Sequence, residues 1–464
     1  MSPRATAAAI VCLLAASVTA GTVEALDSAT ELLVRYLRID TSNPPGNEAA
    51  AARFLAAELH RQGVTTRLLV SPAERTSLYA RLDGGPTAQG TLVLLHHMDV
   101  VPPGPGWTAE PFAGERRDGF VWGAGAVDDK SLGIAHLLAC LELHRRGGAL
   151  AHHVVFLAVA DEETGGSQGS GWLIERHADL FEDVVAVWTE GGSNRTFDGR
   201  VHWWGVEVAQ KRPLWLELTT EGKPGHGSKL DLHTAPHRLV RSLDRLLERP
   251  RVYRVTDEAR LYFSAIDAIG GGFGNGWLPR LEEAIAAGRA ESTLRPGQHN
   301  LFLDTFQITR LESGRQVNAI PRRARALVDV RVLPDTDSDA LLAELRATLG
   351  PEVAVEVLLE APAVEPSPID TKLWDCVETV LGGRAPVVPT FIAGVTDARY
   401  FRQRGIPAYG LSPFTIGPGD AYGVHGVDER ISIEVFETGV ERMIELVRGC
   451  SLPEERPAAR GGAR

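Results

Sequence analysis

An α/β fold, with a doubly wound and mostly parallel sheet plus an inserted α+β unit, is predicted by three observations. Apolar strand-like runs alternate with helix-like segments between about residue 66 and residue 190. Three of those runs stop abruptly in polar side chains of the kind that bind metals or move protons. The texture then changes after about Gln210 and returns to alternation beyond about residue 361.

Taken in order, Leu26 to Leu37 and Glu48 to Gln62 carry apolar residues at helical spacing. The turn-rich Asp40-Thr41-Ser42-Asn43-Pro44-Pro45-Gly46 joins them. Strands follow at Thr66 to Val70, Ser77 to Leu82 and Thr91 to Leu95, the last ending in His96-His97-Met98-Asp99. Beyond the Pro/Gly-rich loop Pro102 to Gly106 comes GFVWGAGAVDDK, Gly119 to Lys130. Leu132, Ala135, Leu138, Leu141 and Leu143 then line a helix that stops at Gly147-Gly148. Val154 to Val159 is a buried strand ending in Asp161-Glu162-Glu163-Thr164-Gly165-Gly166. A helix near Gly171 to His177 and a strand from Val184 to Trp188 lead to Glu190-Gly191-Gly192.

The second unit, 211–361, opens on Leu214 to Thr219, which alternates as a half-buried strand does. Gly222-Lys223-Pro224-Gly225-His226-Gly227-Ser228, a helix from Pro236 to Leu247 and a helical region over about Asp257 to Arg295 follow. Strands at Phe306 to Leu311, Ala324 to Val332 and Val353 to Leu358, with a helix from Ser338 to Leu349, complete it. The catalytic unit is thus expected over 21–210 and 362–452. It resumes with a helix from Thr371 to Leu381, the segments Pro389 to Gly394 and Thr396 to Arg399, and a strand from Ala408 to Leu411. A polar loop holding His425 and a last helix from Ser432 to Arg448 end it. The tail 453–464 is rich in Pro, Arg, Gly and Ala, a composition that does not pack.

The first twenty residues read as an export signal. Arg4 is their only charge, Ala5 to Ala16 is mostly apolar, and Val18-Thr19-Ala20 ends in small residues. An uncleaved anchor is the alternative; no later run reaches the ~20 apolar residues of a spanning helix. A net charge of -12 argues against nucleic acid and against an anionic membrane surface. Cys140, Cys376 and Cys450 remain beyond the signal. Three widely separated cysteines suggest neither a disulfide framework nor a thiolate metal site, and Cys140 reads as core.

In a doubly wound sheet, strand ends distant in sequence converge on one crevice. Asp99, Asp128, Asp129, Glu162, Glu163 and Glu190 would then bring up to six carboxylates together. Each pKa unit of mutual repulsion is worth about 1.4 kcal/mol. Two divalent cations relieve that repulsion, and imidazole with carboxylate but no thiolate suits zinc first, then cobalt or manganese. A spare glutamate beside a ligand glutamate is suited to general-base work. Asp129 reads equally well as a cap of the following helix. His96, His152, His153, His233 and His237 read as structural or surface residues.

HHMDVVP, WGAGAVDDK, DEETGGS, WTEGG, GKPGHGS, GRQVNAIP, GVTDARYF and HGVDERI occur in this order along nearly the whole chain. Together they resemble the di-zinc amidohydrolases that include aminoacylase, carboxypeptidase S, acetylornithine deacetylase and succinyl-diaminopimelate desuccinylase. The resemblance implies that His97 binds one metal with Asp99 orienting it, that Asp128 bridges, and that Glu190 completes the first ion's ligands. Glu163 and His425 would complete the second set, with Glu162 the catalytic proton shuttle. The inserted unit matches the family's lid and dimerisation domain, so a homodimer is implied. His226 would reach an active site, often the partner subunit's, while Asn318 and Arg399 would hold the substrate's carboxylate end. Ala124 for the usual Arg, Ser131 for Gly and Lys229-Leu230 for Met-Pro depart from the pattern without touching a ligand.

The expected activity is zinc-dependent hydrolysis of an amide bond next to a free carboxylate, in a small peptide or an N-acyl amino acid, with the peptide preferred. A non-catalytic solute-binding protein is the rival from another class. A serine hydrolase is opposed by Gly166 to Gly171, which lacks the strand-to-elbow placement of a nucleophile.

Overall fold

The computed structural model describes residues 28–270 and 276–453. The expected export signal, 1–20, and all but the first residue of the expected tail lie outside the described residues. A nine-stranded sheet runs through the molecule. Its order is Arg67–Val70, Thr76–Leu82, His153–Val159, Thr91–His97, Val184–Thr189, Ala408–Gly410, Arg200–Gln210 and Val387–Ile392, with Arg195–Phe197 paired to Arg200–Gln210. The four central strands are parallel, and antiparallel neighbours flank them on both sides.

All seven residues of Thr91–His97 are buried. A parallel strand covered on both faces gains from apolar side chains at every position, so it reads as a continuous run rather than an alternation. One face packs Leu94 and Phe156 under the helices Lys130–Arg146 and Ile433–Ser451. The other packs Leu95, Val155 and Leu157 against Leu173 and Phe401, from the helices Ser170–Arg176 and Ala398–Arg402. The sheet is therefore wound on both sides, as expected. The Lys130–Arg146 helix is buried nearly all round. It ends where Gly147 adopts a positive φ of 63°, after a basic last turn that complements the helix dipole.

The second unit is a four-stranded antiparallel sheet in the order Thr305–Ser313, Arg323–Val332, Arg212–Glu221, Ala354–Glu360. Arg323–Val332 buries every second side chain. The buried set meets the helices Ala235–Leu247 and Ser338–Leu349 in a core of its own, with Leu214, Leu218, Leu239, Val328 and Leu345.

The structure divides the chain differently at one place. Within the stretch expected to belong wholly to the second unit, Asp257–Ala268 packs on the edge strand Val387–Ile392. Phe263, Ile266, Leu278 and Leu281 join the main core. Their apolar stripe marks an amphipathic helix but carries no sign of which sheet it covers. The chain accordingly passes between the two cores after Gln210, after Leu247, after Phe302 and after Glu360.

The cysteine expectation is corrected as well. Cys376 and Cys450 form a disulfide. The helices Lys372–Gly382 and Ile433–Ser451 lie side by side and bring the two Cα atoms to 5.6 Å across 74 residues of sequence, a proximity that spacing alone cannot show. Cys140 is free and buried, a core residue as expected.

Candidate metal centre and active-site cleft

Strand register puts the chemistry at one height. His97 pairs with Val159 and Leu94 with Trp188, so the three chain ends after His97, Val159 and Thr189 leave the sheet together. This is the carboxyl edge of the parallel strands, where open α/β sheets place their ligands.

His97 Nδ1 lies 3.0 Å from the Asp99 main-chain oxygen, which fixes the ring. Its Nε2 faces Asp128 Oδ1 at 2.9 Å and Glu190 Oε1 at 3.8 Å. The other Asp128 oxygen lies 3.2 Å from His425 Nε2, and His425 in turn lies 3.1 Å from Glu163 Oε2. Asp128 thus stands between two imidazoles and offers one oxygen to each. Ligand atoms of His97, Asp128 and Glu163, and separately of His97, Asp129 and Glu190, all lie within 4.8 Å of one another.

Two oxygens test whether this cluster suits cations. Glu163 Oε1 and Asp129 Oδ2 are buried with no hydrogen-bond partner. A buried carboxylate oxygen left unpaired is costly, and a cation is the partner that satisfies it. Asp129 heads the Lys130–Arg146 helix yet makes no capping hydrogen bond, so capping does not account for it. The residues fit a pair of divalent ions held by imidazole and carboxylate.

Asp99 behaves differently from a simple orienting acid. Its carboxylate sits 3.7 Å from His97 Nδ1. It accepts the Glu162 and Glu163 main-chain N–H groups at 3.1 Å each and Asn43 Nδ2 at 2.8 Å. The imidazole is steered by the Asp99 carbonyl, while the carboxylate holds the acidic turn in place. Burial works against that charge, but His97, Asn43 and the amide of Glu163 outweigh it and keep the carboxyl below the usual range. Asp161, at a left-handed φ of 74°, fixes the turn from the other side. It accepts Gln168 N at 2.8 Å and Arg75 Nη1 at 2.8 Å. Asn43 and Arg75 were not legible as site residues; Asn43 sits in a segment whose composition signals only a turn.

Glu162 is half-buried, and burial pushes its carboxyl well above the usual range. Asp397 and Glu163 push the same way against His97 and Arg399. Burial also raises Glu190, with Asp128 and Asp129 adding to it. His425 is lifted to about 10, chiefly by Asp128 and Glu163. Such opposed shifts are the sign of carboxylates set apart for separate roles.

The remaining predicted residues lie elsewhere. Arg399 is buried, and its guanidinium donates to the carbonyls of Thr396 at 2.8 Å and Gly165 at 2.6 Å, behind the acidic turn. His226 and Asn318 lie together on the second unit, where Gly227 N donates to the Asn318 oxygen at 2.8 Å. His226 is exposed, with Nδ1 2.8 Å from Ser228 Oγ. Among the described residues no hydrogen bond or ion pair joins His226 or Asn318 to the acidic cluster. His96 is fully buried, its Nε2 3.2 Å from Tyr36 Oη, as a structural histidine should be.

A cluster of carboxylates on the carboxyl edge of a mixed α/β sheet, with two imidazoles sharing one aspartate, is the donor set of a metal-binding hydrolase. The chain belongs to the peptidase family M20/M25/M40, whose model matches residues 93–449. It is 28% identical over 427 residues to aminoacylase-1 of Sus scrofa, covering 90% of this chain and 93% of that protein. It is 28% identical over 380 residues to the N-fatty-acyl-amino acid synthase/hydrolase PM20D1 of Xenopus tropicalis, covering 77% of this chain and 72% of that protein. The fold matches the M20 family metallo-carboxypeptidase Sso-CP2 from Sulfolobus solfataricus with a TM-score of 0.69 at 20% identity, over 91% of this chain and 99% of that chain. It also matches human carnosine dipeptidase 1 with a TM-score of 0.67 at 16% identity, over 91% and 96%. The protein is a hydrolytic enzyme of this family.

Proposed function

We propose that this enzyme hydrolyses an amide bond next to a free carboxylate, using two zinc ions held by His97, Asp128, Glu163, Glu190 and His425. The observation that carries the reading is Asp128, which turns one oxygen to His97 and the other to His425. Divalent cations held by these residues would polarise a scissile carbonyl and lower the pKa of a bound water towards ~7. Glu162, with its carboxyl raised by burial, accepts the proton lost by the attacking water and delivers it to the leaving amine. Asp99 keeps Glu162 and Glu163 in position through their main-chain amides.

Of the two substrate classes, N-acyl amino acids are favoured over peptides by the likeness to aminoacylase-1 along nine-tenths of both chains. His226 and Asn318 stand beside Leu230 and Val317, two of the most exposed large apolar side chains among the described residues. That supports a homodimer formed through the second unit, in which these residues serve the partner subunit's cleft. The Cys376–Cys450 disulfide supports export, because such bonds persist in oxidising compartments.

The test is metal analysis followed by a screen of N-acetyl amino acids against dipeptides. Two equivalents of metal, loss of activity on chelation and turnover of substrates with a free α-carboxylate are expected. Activity that survives complete metal removal ends the reading.

A further inference from the structure

Four residues beyond His425, Glu429 is buried and meets a row of main-chain amides. Gly125 N donates to its Oε2 at 2.7 Å, and Val127 N and Asp128 N donate to its Oε1 at 2.8 and 3.0 Å. The main-chain oxygen of Glu429 accepts Gly123 N at 2.9 Å, and the next residue, Arg430, pairs with Trp122 in a small sheet. The side chain and the carbonyl of one residue therefore tie the 123–128 loop to the hairpin that presents His425. Both segments follow paths that only glycine permits at key points. Gly125 has a φ of +88°, and a Cβ there would lie 2.8 Å from Val100 Cγ1. A Cβ on Gly423 would lie 2.7 Å from Glu429 Cα. Loops shaped this way have no regular ladder of their own, so the carboxylate that gathers their amides sets where they stop.

Asp128 is central to this arrangement. Its side chain reaches His97 and His425, while its own N–H is held by Glu429. We propose that Glu429 is a positioning residue of the metal centre, clamping the Asp128 loop to the His425 hairpin so that the two ligands keep their mutual spacing. Glu429 touches no reacting atom and acts through Asp128 and His425. The inference deepens the proposed function and rests on its two-metal reading.

The test compares Glu429→Gln, which keeps the length but one acceptor oxygen only, with Glu429→Asp, which keeps the charge but withdraws it. The metal-free parent and both variants are titrated with Co2+, followed by visible absorption and calorimetry, and melted without metal. Metal-free, the variants are expected to stay folded and to melt only slightly below the parent, because a buried acceptor is weakened. They are expected to bind Co2+ about 10–100-fold more weakly, the usual loss when a ligand's supporting partner is removed. Their cobalt spectra are expected to change, with kcat largely regained at saturating metal. Two equivalents bound by the variants as tightly as by the parent, with the same spectrum, overturn the proposal. Metal-free variants that melt well below the parent also overturn it, in favour of a plain brace of the fold. A parent that binds fewer than two equivalents refutes the two-metal reading itself, which is a distinguishable failure.

Discussion

Glu162 and Glu163 are adjacent in sequence and chemically identical, yet their surroundings separate them. Glu163 Oε2 faces His425 at 3.1 Å, whereas Glu162 is pushed well above the usual carboxylate range by burial, helped by Asp397 and by Glu163 itself. A carboxyl raised in this way holds a proton more readily than an ordinary one, which suits a shuttle and not a metal ligand. Glu162→Gln keeps the shape and removes the exchangeable proton. It is expected to lower kcat by about 10²–10⁴-fold. Metal content, measured by elemental analysis, is expected to stay at the parent's level. Equal losses of metal and activity would assign Glu162 to the ligand set instead. His97, Glu163 and Glu190 were legible because they end apolar strands. Glu429 and the carboxylate of Asp99 were not, since both act on main-chain amides, and such partnerships leave no mark in the residue pattern.

The Lys130–Arg146 helix carries His136 on a fully buried face, and neither ring nitrogen has a hydrogen-bond partner. Burial lowers this imidazole from the ordinary 6.5 to about 3. Because the folded pKa is depressed, the unfolded chain takes up the proton first as pH falls. Stability contributed by the neutral ring is present above about 6.5 and declines towards about 3, at up to about 1.4 kcal/mol per pH unit. His136→Leu removes that proton uptake. Urea midpoints at pH 7.5, 5.5 and 4.5 are expected to fall less steeply for the variant than for the parent; parallel slopes would rule out His136 as a source of acid sensitivity. Most elements were legible from periodicity, the Ser338–Leu349 helix to the residue. The strand Arg200–Gln210 was not. Its last eight residues are all buried and Gly205 interrupts them, so neither alternation nor a clean apolar run announces it.

At the scale of the whole chain, the acidic cluster couples metal occupancy to folding. Asp128, Asp129, Glu163 and Glu190 are held close together, an arrangement that would offer divalent ions a site only when the chain is folded. Removal of metal by chelation is expected to lower the melting temperature, and Zn2+ at 100 times its Kd to restore about 2.7 kcal/mol. Calorimetric scans with and without metal measure this; identical melting would mean that no ion contributes to the fold. The two-unit plan was legible from the change of texture at Gln210. The attachment of Asp257–Ala268 to the main sheet was not, because it depends on which edge strand lay open, a property of the assembled sheet rather than of the helix.

A module entered and left through a single doorway can be cut out, traded or lost without disturbing its host. Here Lys211 Nζ donates to the Leu303 carbonyl at 3.0 Å, and Arg212 Nη1 to the Ala361 carbonyl at 3.1 Å, so threads from separate passages are knotted together at the seam. A transplant that exchanged only the outlying sheet would tear away the helices sewn into its neighbour. What can be inherited or grafted as one piece is the entire garment, not the sleeve.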